Sequence, residues 1–320
     1  MPQQQKCQHA VEFMCKNLKL IKARRIKNDE FYTSYKDIAD EFDRTEYLEK
    51  FKGKFVLCNC NDGENSNFFR YFVLNFHRFG LRKLACASYG FQARGYVCLG
   101  ETSENGNPLV RRFPLKGNGS YRSPEMLELL KRCDVVITNP PFSLFRDYMS
   151  LINDYEKEYC VLGNLNAVTY KEIFCPLKEG KMSIGFAFNK NMYFKLPDGN
   201  RKNVSCAFFT NMKLDKKIKT MEFDKKYDET FYEKYDWMPN VINVKKTCEI
   251  PYDYEGVMAV PITYLTYHNP NKFEILDLTN RYCVYDSQCV NEKVRAARSH
   301  CCNINGKSTY NRILIKRKNK

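Results

Sequence analysis

Between residues 54 and 163, short apolar runs alternate with longer segments of helical period, and few folds accept that alternation. The run at 54–60 is stopped by Asn61-Asp62-Gly63, a turn signature after a buried strand. Residues 66–79 place Phe68, Phe69, Phe72, Leu74, Phe76 and Phe79 at helical spacing, with Ser66 as the cap and Gly80 as the stop. Two further runs, 83–88 and 96–100, predict strands. Ser123-Pro124-Glu125 opens a helix through Leu130, with serine at the cap and proline in the first turn. Residues 134–138 predict a strand that Asn139-Pro140-Pro141-Phe142 breaks; a helix then runs through Leu151, and 159–163 is one more strand. Strands separated by helices pair in parallel, and 320 residues with 43% hydrophobic content can cover both faces of such a sheet. The expected fold is α/β, a doubly wound, mostly parallel sheet.

After about Phe209 the pattern changes. Residues 214–235 are charged and studded with aromatics without a clean period, and turns at Pro251, Pro261 and Pro270 separate short strands up to 310–315. A less regular C-terminal region is expected. The net charge of +15 is clustered: residues 16–27 hold six Lys/Arg and no acid, 307–320 hold another six and none, and 190–226 hold ten against four acids. Such clustering suggests a polyanionic partner, most simply nucleic acid.

No apolar run approaches bilayer length, and the first residues lack the apolar core and cleavage site of a secretory leader, so no membrane association is expected. Fifteen cysteines, an odd number in a long chain, sit largely in apolar runs (Cys58, Cys86, Cys98, Cys160, Cys206). A reducing, cytoplasmic compartment is expected. Cys58 with Cys60, and His300-Cys301-Cys302 with Cys283 or Cys289, lack the paired spacing of a zinc site, so no metal is expected.

The chemistry is concentrated at Asn139-Pro140-Pro141-Phe142. Ligands of open α/β sheets bind beyond the carboxyl ends of the strands, where these prolines stiffen the chain just after a buried strand. The Asn139 carboxamide oxygen and the Pro140 carbonyl can both accept from one exocyclic amine. Two such acceptors hold both amine protons, draw its lone pair out of conjugation and aim it at an electrophile. Phe142 offers a face on which an extracted base can stack. A bare Asn-Pro-Pro also serves as a plain turn; the strand before it and the aromatic after it favour the functional reading.

Asn-Pro-Pro-Phe after an apolar strand resembles the catalytic motif of S-adenosylmethionine-dependent amino-methyltransferases. The likeness extends in order through Asn28-Asp29-Glu30-Phe31-Tyr32-Thr33, Cys58-Asn59-Cys60-Asn61-Asp62, Ser66-Asn67-Phe68-Phe69, Tyr121-Arg122-Ser123, Asn139 to Phe145, Gly163-Asn164-Leu165-Asn166-Ala167, Thr169-Tyr170-Lys171-Glu172-Ile173 and Phe209-Thr210-Asn211. It continues in Gly256-Val257-Met258, Val260-Pro261-Ile262-Thr263 and Phe273-Glu274-Ile275-Leu276. Together these resemble the EcoRI-type adenine-specific DNA methyltransferases from about residue 20 onward.

That resemblance implies a class I methyltransferase-like catalytic domain at 28–212, a basic extension at 1–27, and a DNA target-recognition region with a basic tail at 213–320. It implies S-adenosylmethionine as cofactor, with Phe31, Tyr32 and Thr33 lining its methionine end and Asn59, Cys60 and Asp62 holding its amino-acid moiety. Asn139, Pro140, Pro141 and Phe142 are the implied catalytic residues. The loop after the first strand has only Gly63 where relatives are glycine-rich, and no carboxylate follows the second strand. The implied activity is methylation of the adenine 6-amino group in double-stranded DNA by base flipping and direct displacement. A functional partner restriction endonuclease, or an orphan modification role, goes with it. Asn-Pro-Pro motifs also serve RNA adenine and protein glutamine acceptors, and a catalytically decayed DNA-binding module is a third reading.

Overall fold

The computed structural model describes residues 33–60, 66–90, 94–102, 108–188, 190–195, 201–215, 221–281 and 302–318. They divide into two units, one within Met1–Ala167 and Met182–Asp215, the other within Val168–Lys181 and Lys216–Lys320.

The first unit opens with α1 (Tyr35–Phe42), capped by Ser34, whose Oγ accepts from Asp37 N at 3.1 Å. Then come β1 (Phe55–Cys58), α2 (Asn67–Leu74), β2 (Lys83–Ala87), β3 (Arg94–Thr102), β4 (Pro108–Pro114), α3 (Pro124–Arg132), β5 (Val135–Thr138), α4 (Phe145–Asp154) and β6 (Glu158–Asn164). The chain returns to this unit as β7 (Ser183–Ile184), β8 (Lys190–Lys195) and β9 (Arg201–Thr210).

Among the described residues these strands form one nine-stranded sheet, ordered β4-β3-β2-β1-β5-β6-β9-β7 with β8 also on β9. The expected parallel ladder is its centre: β1 pairs in parallel with β2 and with β5, and β5 with β6. All four residues of β1 and of β5 are buried, as strands covered on both faces require. The flanks are antiparallel. The strand expected at 96–100 is the longer β3, and it turns back through β4, whose residues are mostly exposed. From β1 the chain first winds outward through β2 and then returns to the other side as β5. Strand order therefore reverses between β1 and β5, which places a crevice at their carboxyl ends.

Aromatic packing fixes α1 against this sheet. Phe42 lies 4.9 Å from Tyr47, 5.1 Å from Phe72 and 5.6 Å from Phe208 between ring centroids, all fully buried. Within the same helix Glu41 is also fully buried, accepting from Tyr47 Oη and from the backbone N–H of Phe186 and Ala187. On the other side of the sheet, Phe145 at the start of α4 rests on the backbone of β6. A Cβ built on Gly163 would stand 2.3 Å from its ring. Gly163→Ala is therefore expected to destabilise the protein by about 1–3 kcal/mol through overpacking. Chemical denaturation with an unchanged midpoint would show that the ring can move aside.

The second unit contains α5 (Lys171–Lys178), β10 (Lys234–Tyr235), β11 (Met238–Asn243), β12 (Val257–Val260), β13 (Phe273–Leu278), β14 (Asn303–Ile304), β15 (Lys307–Ser308) and β16 (Ile313–Arg317). Five of these strands form a sheet of order β10-β11-β12-β16-β13. Asn305 and Gly306, with φ of 50° and 72°, make the two-residue turn of the β14–β15 hairpin. The Asp236 carboxylate accepts from both of their N–H groups, at 2.7 and 2.9 Å. The C-terminal basic segment is more than a charged tail. It supplies β16, a central strand with Ile313, Leu314 and Ile315 fully buried. Arg317 lies over the Phe273 ring at 4.8 Å and donates to the Pro251 carbonyl, so part of the tail's charge has a packing role.

Among the described residues no helix is long and apolar enough to cross a membrane. No group of three or more His, Cys, Asp or Glu among them could hold a metal ion.

Candidate active site

Two neighbouring strand ends build the site. Beyond β1 the chain enters Asn59, which is fully buried, and then Cys60, whose φ of 102° is a conformation that favours glycine. Beyond β5 it enters Asn139, 8% exposed, and then the two prolines. The residue before a proline is held away from the helical region, so the chain runs on past the strand before it can turn. That turn comes at 141–144, where Leu144 N donates to the Pro141 carbonyl, and α4 follows. Register carries the two ends side by side: Leu57 faces Val136, and the Thr138 hydroxyl donates to the Asn59 carbonyl at 3.3 Å.

Asn139 is oriented by Thr33, whose Oγ1 accepts from Asn139 Nδ2 at 3.1 Å. This bond uses a carboxamide donor and so sets the acceptor, Oδ1, on the opposite side. Thr33 is 5% exposed and is itself tied down, its carbonyl accepting from Asn67 Nδ2 at 2.8 Å. Asn67 is the first residue of α2, and Ser66 caps that helix by accepting from Phe69 N. The segment entering α1 is thus stitched to α2 and to the end of β5. Phe142 is half-buried and meets Phe194 edge-on at 6.2 Å.

On the α4 side, Tyr148 is fully buried and its hydroxyl donates to Asn59 Oδ1. Asn59 Nδ2 is also buried and has no hydrogen-bond partner among the described residues. The Tyr121 ring packs edge-on against Tyr148 at 5.3 Å, and the Tyr121 hydroxyl donates to Asp147 at 2.7 Å. Burial first, and then that bond, push the Tyr121 hydroxyl up to about 12. Arg122 grips the same carboxylate with two bonds, of 3.1 and 2.7 Å. Burial pushes the Cys60 thiol well above its ordinary value, against hydrogen bonds to Thr138 and Tyr148 that act the other way. Cys60 is therefore a neutral thiol, a poor nucleophile.

Of the residues singled out in the sequence, Thr33, Asn59, Cys60, Asn139, Pro140, Pro141 and Phe142 come together at these strand ends. Phe31, Tyr32 and Asp62 lie outside the described residues, as does the basic segment at 16–27. Sequence reasoning missed Tyr148 and the donor role of Asn67. Tyr148 stands three residues after Phe145 and four before Ile152, so its spacing reads as ordinary helix core. Asn67 lies in one of the resemblance segments, but nothing in the sequence pairs it with Thr33.

The family model described as adenine-specific methyltransferase EcoRI matches residues 19–318. Type II methyltransferase M.MpnI of Mycoplasma pneumoniae is 37% identical over 318 residues, covering 93% of this chain and 97% of the relative. Type II methyltransferase M.EcoRI of Escherichia coli is 38% identical over 334 residues, covering 94% and 97%. Type II methyltransferase M.MgeORF184P of Mycoplasma genitalium is 36% identical over 318 residues, covering 92% and 98%. No solved structure matches.

Proposed function

Because the chain belongs to the EcoRI adenine-specific methyltransferase family, its activity is methylation of adenine in DNA, and we propose that the cluster around Asn139 is where the methyl group is transferred. The observation that carries this reading is the Asn139–Thr33 hydrogen bond. It joins the early motif and the Asn-Pro-Pro-Phe motif, 106 residues apart, at the strand-order reversal.

S-adenosylmethionine, when bound, supplies a methyl group made electrophilic by its sulfonium. The residues present suit it: a buried amide donor without a partner, Asn59 Nδ2, lies where the turn after β1 would meet a carboxylate. Thr33 would line the methionine end, and Asn59 and Cys60 would hold the amino-acid end; the family resemblance assigns Phe31, Tyr32 and Asp62 to the same roles. Asn139 Oδ1 and the Pro140 carbonyl would each accept a hydrogen bond from the adenine 6-amino group and so orient its lone pair, while Phe142 would stack on the base. With the cofactor bound, the amine nitrogen would take the methyl directly, the carbon–sulfur bond breaking to leave a neutral thioether and one amine proton passing to solvent; Cys60, a neutral thiol, would take no part. Most of the acceleration comes from proximity and from orientation by these fixed acceptors.

Adenine inside a duplex cannot reach Asn139, so the base is flipped out and contacts elsewhere offset the unstacking. Residues 213–320 carry target recognition, and the basic blocks supply phosphate contacts. A restriction endonuclease of matching specificity is the functional partner.

Deleting the C-terminal basic segment would remove β16 and unfold its sheet, so its charge is better tested by substitution at the exposed Lys316 and Lys318. Lys316→Glu with Lys318→Glu should weaken DNA binding at all sequences. It should also lower the slope of log affinity against log salt by up to about 2. An unchanged slope would remove this surface from the phosphate contacts. The function as a whole is tested by sequencing genomic DNA from cells that express the chain. Modified adenine at one recurrent sequence is expected, and its absence would contradict the reading.

A further inference from the structure

We infer that Tyr148 is a positioning residue for cofactor binding: its hydroxyl holds the Asn59 carboxamide so that Nδ2 is presented to the carboxylate of the bound cofactor's amino-acid half. The inference rests on the cofactor reading above and extends it to a residue that no motif marks.

An asparagine carboxamide can rotate to expose either its oxygen or its nitrogen, and only the nitrogen suits a carboxylate. Tyr148 settles which. Its hydroxyl donates to Oδ1, and burial pushes that hydroxyl well above its ordinary value, so the proton stays in place at all working pH. With Oδ1 engaged, Nδ2 is the end left over. It is buried without a hydrogen-bond partner among the described residues, an arrangement that is unfavourable unless a ligand acceptor arrives.

Tyr148 is in turn fixed. Its ring packs edge-on against Tyr121 at 5.3 Å, and Tyr121 is held by Asp147, which Arg122 grips with two bonds. Tyr121-Arg122, on the loop before α3, thus bears on the Tyr148 side of the site through α4.

The test is calorimetric binding of two ligands to the full chain: S-adenosylhomocysteine, which has the amino-acid half, and 5′-methylthioadenosine, which lacks it. Tyr148→Phe should weaken the first by about tenfold and leave the second within twofold. In an Asn59→Ala background the same substitution should have no effect, because the group it orients is gone. Equal weakening of both ligands would mean a general packing role and would overturn the inference, as would no weakening of either. A persisting tenfold effect in the Asn59→Ala background would overturn it too. Wild-type protein that binds neither ligand would contradict the cofactor reading itself and the inference with it.

Discussion

Asn139→Ala is expected to lower the rate of methyl transfer by roughly two to three orders of magnitude while cofactor affinity changes by only a few-fold. The carboxamide has two ends with different work. Nδ2 donates to Thr33 Oγ1, and that bond orients the group within the protein. On the proposed mechanism, Oδ1 is one of two acceptors that hold the adenine amine with its lone pair aimed at the methyl group. Alanine removes the acceptor and leaves Pro140 to orient the amine alone. On the same reading, cofactor binding rests on the Thr33 side and the end of β1, and Thr33 keeps its second anchor, the Asn67 bond to its carbonyl. Single-turnover kinetics with saturating DNA separates the two quantities. Parallel loss of rate and cofactor affinity would place Asn139 in cofactor binding instead.

Glu41→Ala should destabilise the protein by about 3–5 kcal/mol, as much as removing a buried core aromatic. Glu41 has no exposure to solvent, and its two oxygens accept from Tyr47 Oη at 2.5 Å, Phe186 N at 3.0 Å and Ala187 N at 2.6 Å. The backbone at Gly185 passes so close that a Cβ there would stand 2.5 Å from Oε1. Alanine removes the acceptor of three donors, leaving the buried Ala187 N–H stranded and the Tyr47 hydroxyl only its weaker contact with Cys160 Sγ, with a void beside them. Glu41→Gln keeps one acceptor and should lose less. Because Glu41 lies on α1, directly after Thr33 and Ser34, losing it should also loosen the anchor of Asn139. Urea denaturation measures the first effect, and a loss under about 1 kcal/mol would contradict the account of this contact.

The sheet was legible where burial on both faces writes a continuous apolar run. Val56, Leu57 and Cys58, and Val135 to Thr138, are of that kind, and their strands stand where the runs do. Where burial and secondary structure part company, the sequence overreads. The apolar spacing at 66–79 predicted one long helix, yet α2 ends at Leu74, which is 57% exposed, while Phe76 and Phe79 are buried from a non-helical turn. Spacing there recorded which side chains face the core, not the backbone's path. Non-local pairing leaves less trace still: β16 inserts between β12 and β13 from some 40 residues beyond, and nothing in residues 313–317 names those partners.

The site was legible in the same uneven way. Asn139 is announced by a buried strand and two prolines, a local signature with a physical reason. Thr33 and Asn59 entered through resemblance, and their convergence with Asn139 needed the fold. Glu41 follows Asp40 in a charged stretch and reads as a solvent face; only the approach of Gly185 and the N–H groups after it turns that carboxylate inward. Tyr148 hides in a helix whose buried face is otherwise apolar.

The central claim is that the Asn139 cluster transfers a methyl group to the 6-amino nitrogen of adenine in duplex DNA. Incubation of the full chain with methyl-labelled S-adenosylmethionine and unmodified duplex DNA, followed by digestion to nucleosides, tests it most directly. The account predicts label in N6-methyldeoxyadenosine, and almost none with Asn139→Ala at equal cofactor occupancy. Label in cytosine, in RNA adenine or in protein glutamine, with deoxyadenosine unlabelled, would contradict it.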